Sequence, residues 1–232
     1  MGGALKKRQI RLLTLLARVT GNNTFKCCVE TGTYRGDSAL ILASQFELVH
    51  TVELSDKWYV YSRNRLKART NIRCHRGDSA SVMERLMAVI EEPAFFFLDA
   101  HFAGGDTAFG TEEVPLIREL DVLATRSQKD IIVIDDLRLL GKRGVSGAEE
   151  DTVYPKMTYD WRTVTIASIE RAIGRDSSSL WKFRNDRLVI FRNLSAASGF
   201  LLHVSYALMQ GVVLMRRAVQ WVYGSVLDTS SS

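Results

Sequence analysis

Apolar residues fall along this chain in short unbroken blocks, and most of the blocks stop at an acidic residue. The first spans residues 25–30 and ends in Glu30, followed by the turn-rich Thr31-Gly32-Thr33-Tyr34-Arg35-Gly36. Residues 48–52 form the second, with Glu53 behind them, and 71–75 the third, followed by Gly77-Asp78-Ser79. Residues 94–98 are wholly apolar and stop at Asp99; residues 131–134 are wholly apolar and stop at Asp135-Asp136. A strand with one wet face alternates apolar and polar positions, so blocks without alternation are expected to be covered on both faces. Between them, segments 37–46, 57–69, 79–90 and 113–125 read as helices. This βαβ alternation predicts an α/β fold: a doubly wound, Rossmann-like parallel sheet. Two more strands, 180–183 and 188–191, flank Arg184-Asn185-Asp186-Arg187, a hairpin signal that closes the sheet with an antiparallel pair.

The two ends of the chain read differently from this centre. Residues 1–29 hold six basic side chains (Lys6, Lys7, Arg8, Arg11, Arg18, Lys26) and no acid. The other residues hold 25 basic against 26 acidic, so the formal net charge of +5 belongs to the N-terminal segment. Ile10, Leu12, Leu13, Leu15, Leu16 and Val19 interleave with those cations, which predicts a basic amphipathic helix. Its apolar run is short and broken by Arg18, unlike a secretory signal. Residues 199–215 are mostly apolar but contain His203, Ser205 and Gln210 before Arg216-Arg217, which falls short of a membrane span. The expected organisation is an N-terminal helix (1–24), a central domain (25–193) and an apolar C-terminal helix with a serine-rich tail (194–232). The termini leave open a packing role, a homodimer, or peripheral contact with a membrane.

Composition narrows the class. With 46% hydrophobic and 25% charged residues, the chain can bury enough apolar surface to order itself, which excludes disorder for its bulk. Three prolines exclude proline-rich and collagen-like classes, and three cysteines exclude a disulfide scaffold. Cys27, Cys28 and Cys74 lack zinc-ligand spacing and read as buried thiols of a reducing, cytoplasmic compartment.

In an open parallel sheet, ligands bind beyond the C-terminal strand ends, and Glu30, Glu53, Asp78, Asp99, Asp135 and Asp136 gather at those ends. Gly32 and Gly36 allow a tight turn and a close approach of ligand to backbone. Their spacing differs from Gly-x-Gly-x-x-Gly, and no P-loop lysine follows. Glu53 stands where an acid accepts hydrogen bonds from both hydroxyls of a ribose. Asp78 and Ser79 stand where a polar group reaches an adenine amino group. Together these features predict a nucleoside-binding site.

Those residues resemble the class I S-adenosylmethionine-dependent methyltransferases over roughly residues 25–192. Val29-Glu30-Thr31-Gly32-Thr33-Tyr34-Arg35-Gly36 is similar to their first motif, Val52-Glu53-Leu54 to their ribose-binding acid, and Gly77-Asp78-Ser79 to their adenine-contacting turn. The resemblance implies a seven-stranded sheet ending in a hairpin. It also implies that the loop from Glu30 through Gly32, Thr33 and Tyr34 to Gly36 holds the methionine portion of S-adenosyl-L-methionine. The second half resembles the metal-dependent, macrocin-type O-methyltransferases, which act on sugar hydroxyls. Phe97-Leu98-Asp99-Ala100-His101 and Val133-Ile134-Asp135-Asp136 carry that likeness. By it, Asp99, Asp135 and Asp136 match the ligands of a Mg²⁺ ion, and Asp99 also borders the cofactor. His101 stands where those enzymes place an acidic base; the imidazole is a departure, read as base or as metal ligand.

The implied reaction is methyl transfer to a hydroxyl of a small-molecule or glycan acceptor. Gly104-Gly105-Asp106-Thr107 is expected to shape the acceptor pocket, and the polar stretch 137–160, with Tyr154-Pro155, to act as a substrate lid. The competing expectation is a non-catalytic nucleoside-binding or membrane-associated scaffold that kept the fold. A nucleic-acid substrate is not expected, because the core carries no basic excess and Asn-Pro-Pro-Tyr is absent after the fourth strand.

Overall fold

Seven strands form one sheet in the order β3-β2-β1-β4-β5-β9-β8. They are β1 (Cys27–Thr31), β2 (Leu48–Glu53), β3 (Ile72–Arg76), β4 (Ala94–Leu98), β5 (Ile131–Ile134), β8 (Ser177–Phe183) and β9 (Arg187–Arg192). The first five run parallel, and β9 pairs antiparallel with both β5 and β8. The computed structural model describes residues 5–19, 21, 24–149, 156–174, 177–183 and 186–210. Tyr154-Pro155 and the part of the apolar stretch beyond residue 210 lie outside the described residues.

The helices are α1 (Lys7–Val19), α2 (Asp37–Leu42), α3 (Asp56–Leu66), α4 (Ser79–Met87), α5 (Leu116–Ala124), α6 (Ile166–Ile173) and α7 (196–210). Several are shorter than their periodicity predicts, for local reasons. Helix α2 stops at Leu42 because Ser44 Oγ donates to the Ile41 carbonyl at 2.6 Å, which competes with the helical ladder. Helix α5 starts after Pro115, which has no N–H to give a preceding turn. Ser55 caps α3, Asp78 caps α4, and Thr165 with Ser168 makes a capping box on α6.

Burial on both faces explains the unbroken apolar blocks. On one face Val29, Val52, Phe96, Leu98, Ile132 and Ile134 pack against Met83, Leu86, Leu120, Leu123 and Ile169 from α4, α5 and α6. On the other, Cys28, Val49, Phe95, Phe97, Ile131 and Val133 pack with Leu42 of α2, Leu66 of α3, and α1 residues Ile10, Leu13, Leu16 and Ala17. Leu202 of α7 joins that second cluster. Each such leucine contributes roughly 1.5–3 kcal/mol by leaving water, so α1 is part of the core and not an appended arm.

The stretch expected as an irregular lid contains a second, small sheet: β6 (Arg143–Ser146) pairs antiparallel with β7 (Met157–Asp160). Trp161, buried just beyond β7, fixes this hairpin to the domain. No helix among the described residues is long and apolar enough to cross a membrane.

Candidate active site

The strand order turns back between β1 and β4, and this leaves a crevice beyond their C-terminal ends. A cavity of about 280 Å³ opens there, lined among others by Gly32, Tyr34, Glu53, Trp58, Asp78, Ser79, Asp99, His101, Asp136, Arg138, Tyr159 and Trp161. Eight of the expected site residues therefore meet around one space. Glu30, Thr33, Gly36 and Asp135 do not line it.

The loop after β1 is shaped by its neighbours. A Cβ on Gly32 would lie 2.5 Å from the Asp99 carbonyl oxygen, and Gly32 has φ +83°, so only glycine lets β1 and β4 end side by side. Tyr34 also adopts a left-handed φ of 46°, which aims its N–H at Glu53. Beneath the loop, the hydroxyls of Thr33 and Thr51 are 2.6 Å apart, and Thr51 donates to Glu30 Oε2 at 2.6 Å. Glu30 thus supports the loop from below. Burial pushes its pKa up to about 7, against the Thr51 hydrogen bond.

Glu53 ends β2 with its carboxylate at the cavity. Oε2 accepts from the Tyr34 N–H at 2.7 Å and Oε1 from the Ser55 N–H at 2.8 Å. Each oxygen keeps a second lone pair, so the carboxylate is held rigid and still able to accept a ligand's hydroxyls. Burial raises its pKa, opposed by those backbone donors. Asp78 is more heavily engaged: it caps α4 through Ser81 and pairs with Arg118. Despite burial, these bonds hold its carboxyl below the usual range. Ser79 lines the cavity, and its buried hydroxyl interacts with the buried Glu119 carboxylate behind it.

Asp99, His101 and Asp136 converge at the ends of β4 and β5, with one donor atom from each within 4.8 Å of the others. His101 Nε2 lies 3.2 Å from Asp136 Oδ2, and Nδ1 lies 3.7 Å from Asp99 Oδ1. Asp136 reaches inward through a left-handed backbone, φ 58°, and is also bonded by Arg138. Burial holds the His101 imidazole below its ordinary pKa, so the ring is neutral near pH 7. The Asp99 carboxyl is pushed well up, by burial first and then by the charges of Asp135, Asp136 and Glu30.

Asp135 stands apart from the expected ligand set. Its Oδ2 accepts from Arg187 at 3.1 Å, and its Oδ1 from the Asp136 N–H at 3.0 Å. Both Asp135 and Arg187 are buried, and the guanidinium lies 5.7 Å from the centre of the Phe97 ring. The carboxylate therefore neutralises an interior cation while its neighbour turns to the cavity. Burial raises Asp135 to about 6, against the pull of Arg187.

Three neighbours of the site, Arg187, Arg138 and Trp161, carry no site signal in the sequence, and for Asp106 the sequence points to the loop but not to its partners. Arg187 falls in the hairpin signal of the sequence, although a cation opening an apolar strand calls for a buried acid. Arg138 bridges Asp136 and Asp186 at the cavity wall. Trp161 meets the His101 ring edge-on at 5.3 Å and fixes its plane. Asp106 pairs with Lys57 and accepts from Trp58 Nε1 at 3.2 Å, so the Gly104–Thr107 loop is fastened to α3 across the cavity. No spacing in the sequence announces these long-range pairs.

No family model matches the sequence, and no curated protein does. Solved structures do match the fold. An O-methyltransferase from Bacillus cereus in complex with SAH superposes with a TM-score of 0.52 at 17% identity, over 82% of this chain and 83% of that one. The SAH-bound methyltransferase PaMTH1 from Podospora anserina gives 0.52 at 15% identity, over 78% of this chain and 75% of that one. The chain has the α/β Rossmann-like fold of these methyltransferases, with the antiparallel hairpin at the sheet's end.

Proposed function

We propose that this chain is an S-adenosyl-L-methionine-dependent O-methyltransferase acting on a hydroxyl of a small-molecule or glycan acceptor. One observation carries the reading: Glu53, set by two backbone N–H groups, and the Asp99–His101–Asp136 trio open on the same cavity. A nucleoside-binding scaffold has no use for the second half of that arrangement, because crowding carboxylates away from water costs several kcal/mol. The SAH named for both solved relatives agrees with the first half.

Glu53 would hold the ribose hydroxyls, Ser79 and Asp78 the adenine, and the Gly32–Tyr34 loop the amino-acid portion. Bound S-adenosyl-L-methionine supplies an electrophilic methyl group for in-line attack by the acceptor oxygen. The protein's work is to align the two and to remove the acceptor's proton. Asp99, His101 and Asp136 fit a divalent ion, two carboxylates and an imidazole being a donor set that Mn²⁺, Fe²⁺ or Zn²⁺ accept as readily as Mg²⁺. Such an ion would lower the pKa of a bound hydroxyl.

A second reading rests on the 3.2 Å contact between His101 and Asp136. There Asp136 orients the neutral imidazole, and His101 takes the acceptor proton without an ion. Transfer of labelled methyl from S-adenosyl-L-methionine to a panel of hydroxylated acceptors, including simple glycosides, tests both. Turnover abolished by EDTA and restored by Mn²⁺ or Mg²⁺ supports the ion; turnover indifferent to EDTA but lost in His101→Ala supports the base. No transfer to any oxygen acceptor, with transfer to an amine or thiol instead, refutes the O-methyl assignment.

A further inference from the structure

We propose that the outer faces of α1 and α7 form a docking surface for an anionic lipid membrane. The reading does not depend on the methyltransferase assignment. Helix α7 has no charged residue among its described positions, 196–210. A helix lying on a domain normally turns charges to water. Here the inner side chains Leu202, Tyr206 and Met209 pack into the core cluster, while the outer stripe is Phe200, Leu201, Val204 and Leu208. Phe200 is 71% exposed and Leu208 66%. Positions 200, 201, 204 and 208 share one helical face, so this is a continuous apolar strip and not scattered residues.

Helix α1 enters the same core cluster, on the same side of the sheet. Its outer face carries exposed Lys7, Arg8, Arg11 and Arg18, with Leu15 and Val19 exposed among them. No acid occurs in the first 29 residues to offset these cations. An uncharged apolar strip and a basic helix on one side of a domain match the interface of an anionic bilayer: apolar side chains enter the acyl boundary while cations meet headgroups. The sequence beyond the strip repeats the chemistry, with Val212-Val213-Leu214-Met215 before Arg216-Arg217. A second copy of the chain fits less well, because a symmetric contact would bring the α1 cations of two molecules together.

Co-sedimentation of the full chain with vesicles tests this, using phosphatidylcholine alone and phosphatidylcholine mixed with phosphatidylserine. The chain should pellet with the serine-containing vesicles, and high salt should release it. Lys7→Glu with Arg8→Glu should weaken partitioning by about tenfold or more. Phe200→Ser with Leu208→Ser should abolish it. Both double variants should keep the wild-type melting midpoint, since the altered side chains are exposed. Failure to pellet with either vesicle overturns the proposal. So does a solution dimer, dispersed by Phe200→Ser with Leu208→Ser, that ignores vesicles.

Discussion

Asp135 and Asp136 are adjacent in sequence and work in different surroundings. Both follow the last residue of β5, and there the left-handed backbone of Asp136, φ 58°, brings it to the cavity while Asp135 does not line it. Asp135 pairs instead with Arg187, 52 residues away. That is why the pair was legible as acids gathered at a strand end and their separate surroundings were not. The two should respond differently to loss of charge. Asp135→Asn leaves the Arg187 guanidinium inside the protein without this carboxylate and should cost about 3–5 kcal/mol of stability in denaturant unfolding. Asp136→Asn should be much milder in that assay, yet abolish methyl transfer while cofactor affinity stays unchanged. Gly32 was read from spacing as a turn glycine, and the reason proves to be contact: a methyl group there would strike the Asp99 backbone.

At the scale of elements, the parallel strands were legible because burial on both faces leaves an unbroken apolar block. The β6–β7 hairpin was not, because Arg-Gly-Val-Ser and Met-Thr-Tyr-Asp carry neither strong alternation nor an apolar run. Its position comes from Trp161 and from the Gly104 loop, where a Cβ would meet Met157 Sδ at 2.6 Å. The Gly104–Thr107 loop thus touches the hairpin on one side and α3 on the other. Releasing the α3 side should loosen closure over the cofactor without unfolding anything. Asp106→Ala should raise KM for S-adenosyl-L-methionine about fivefold, in line with ~1 kcal/mol for a partly exposed, charge-assisted contact. Its melting midpoint should stay near wild type; a large drop there would mean the loop supports the fold and not the closed cavity.

For the molecule as a whole, acid should reveal a pair that no functional reading required. His50 on β2 and His75 on β3 lie with ring nitrogens 2.8 Å apart. Burial lowers His50 to about 4, helped by His75 and Arg73, and burial lowers His75 as well. The unfolded chain protonates these rings near pH 6.5, so the folded state binds fewer protons below that value. Stability from the pair is therefore complete above about pH 6.5 and declines as pH falls toward about 4. Buried Glu30 and Glu119, both raised to about 7, run the other way and lose stability as pH rises through 7. The comparison that isolates the pair is His50→Gln against wild type: the gap in melting midpoint should shift in favour of the variant as pH drops from 6.5 to 4. Four of the six cations behind the basic excess lie on α1, whose inner face is core and whose basic side chains are exposed, away from the residues that line the cavity. What the cavity binds is the central claim, and titration calorimetry of S-adenosyl-L-methionine into the full chain tests it most directly. Saturable one-to-one binding is expected, weakened about 30- to 100-fold by Glu53→Ala, which removes two charge-assisted contacts worth ~2–3 kcal/mol together, and unchanged by Asp136→Asn. Absence of binding by the wild-type chain, or binding indifferent to Glu53→Ala, would contradict the account.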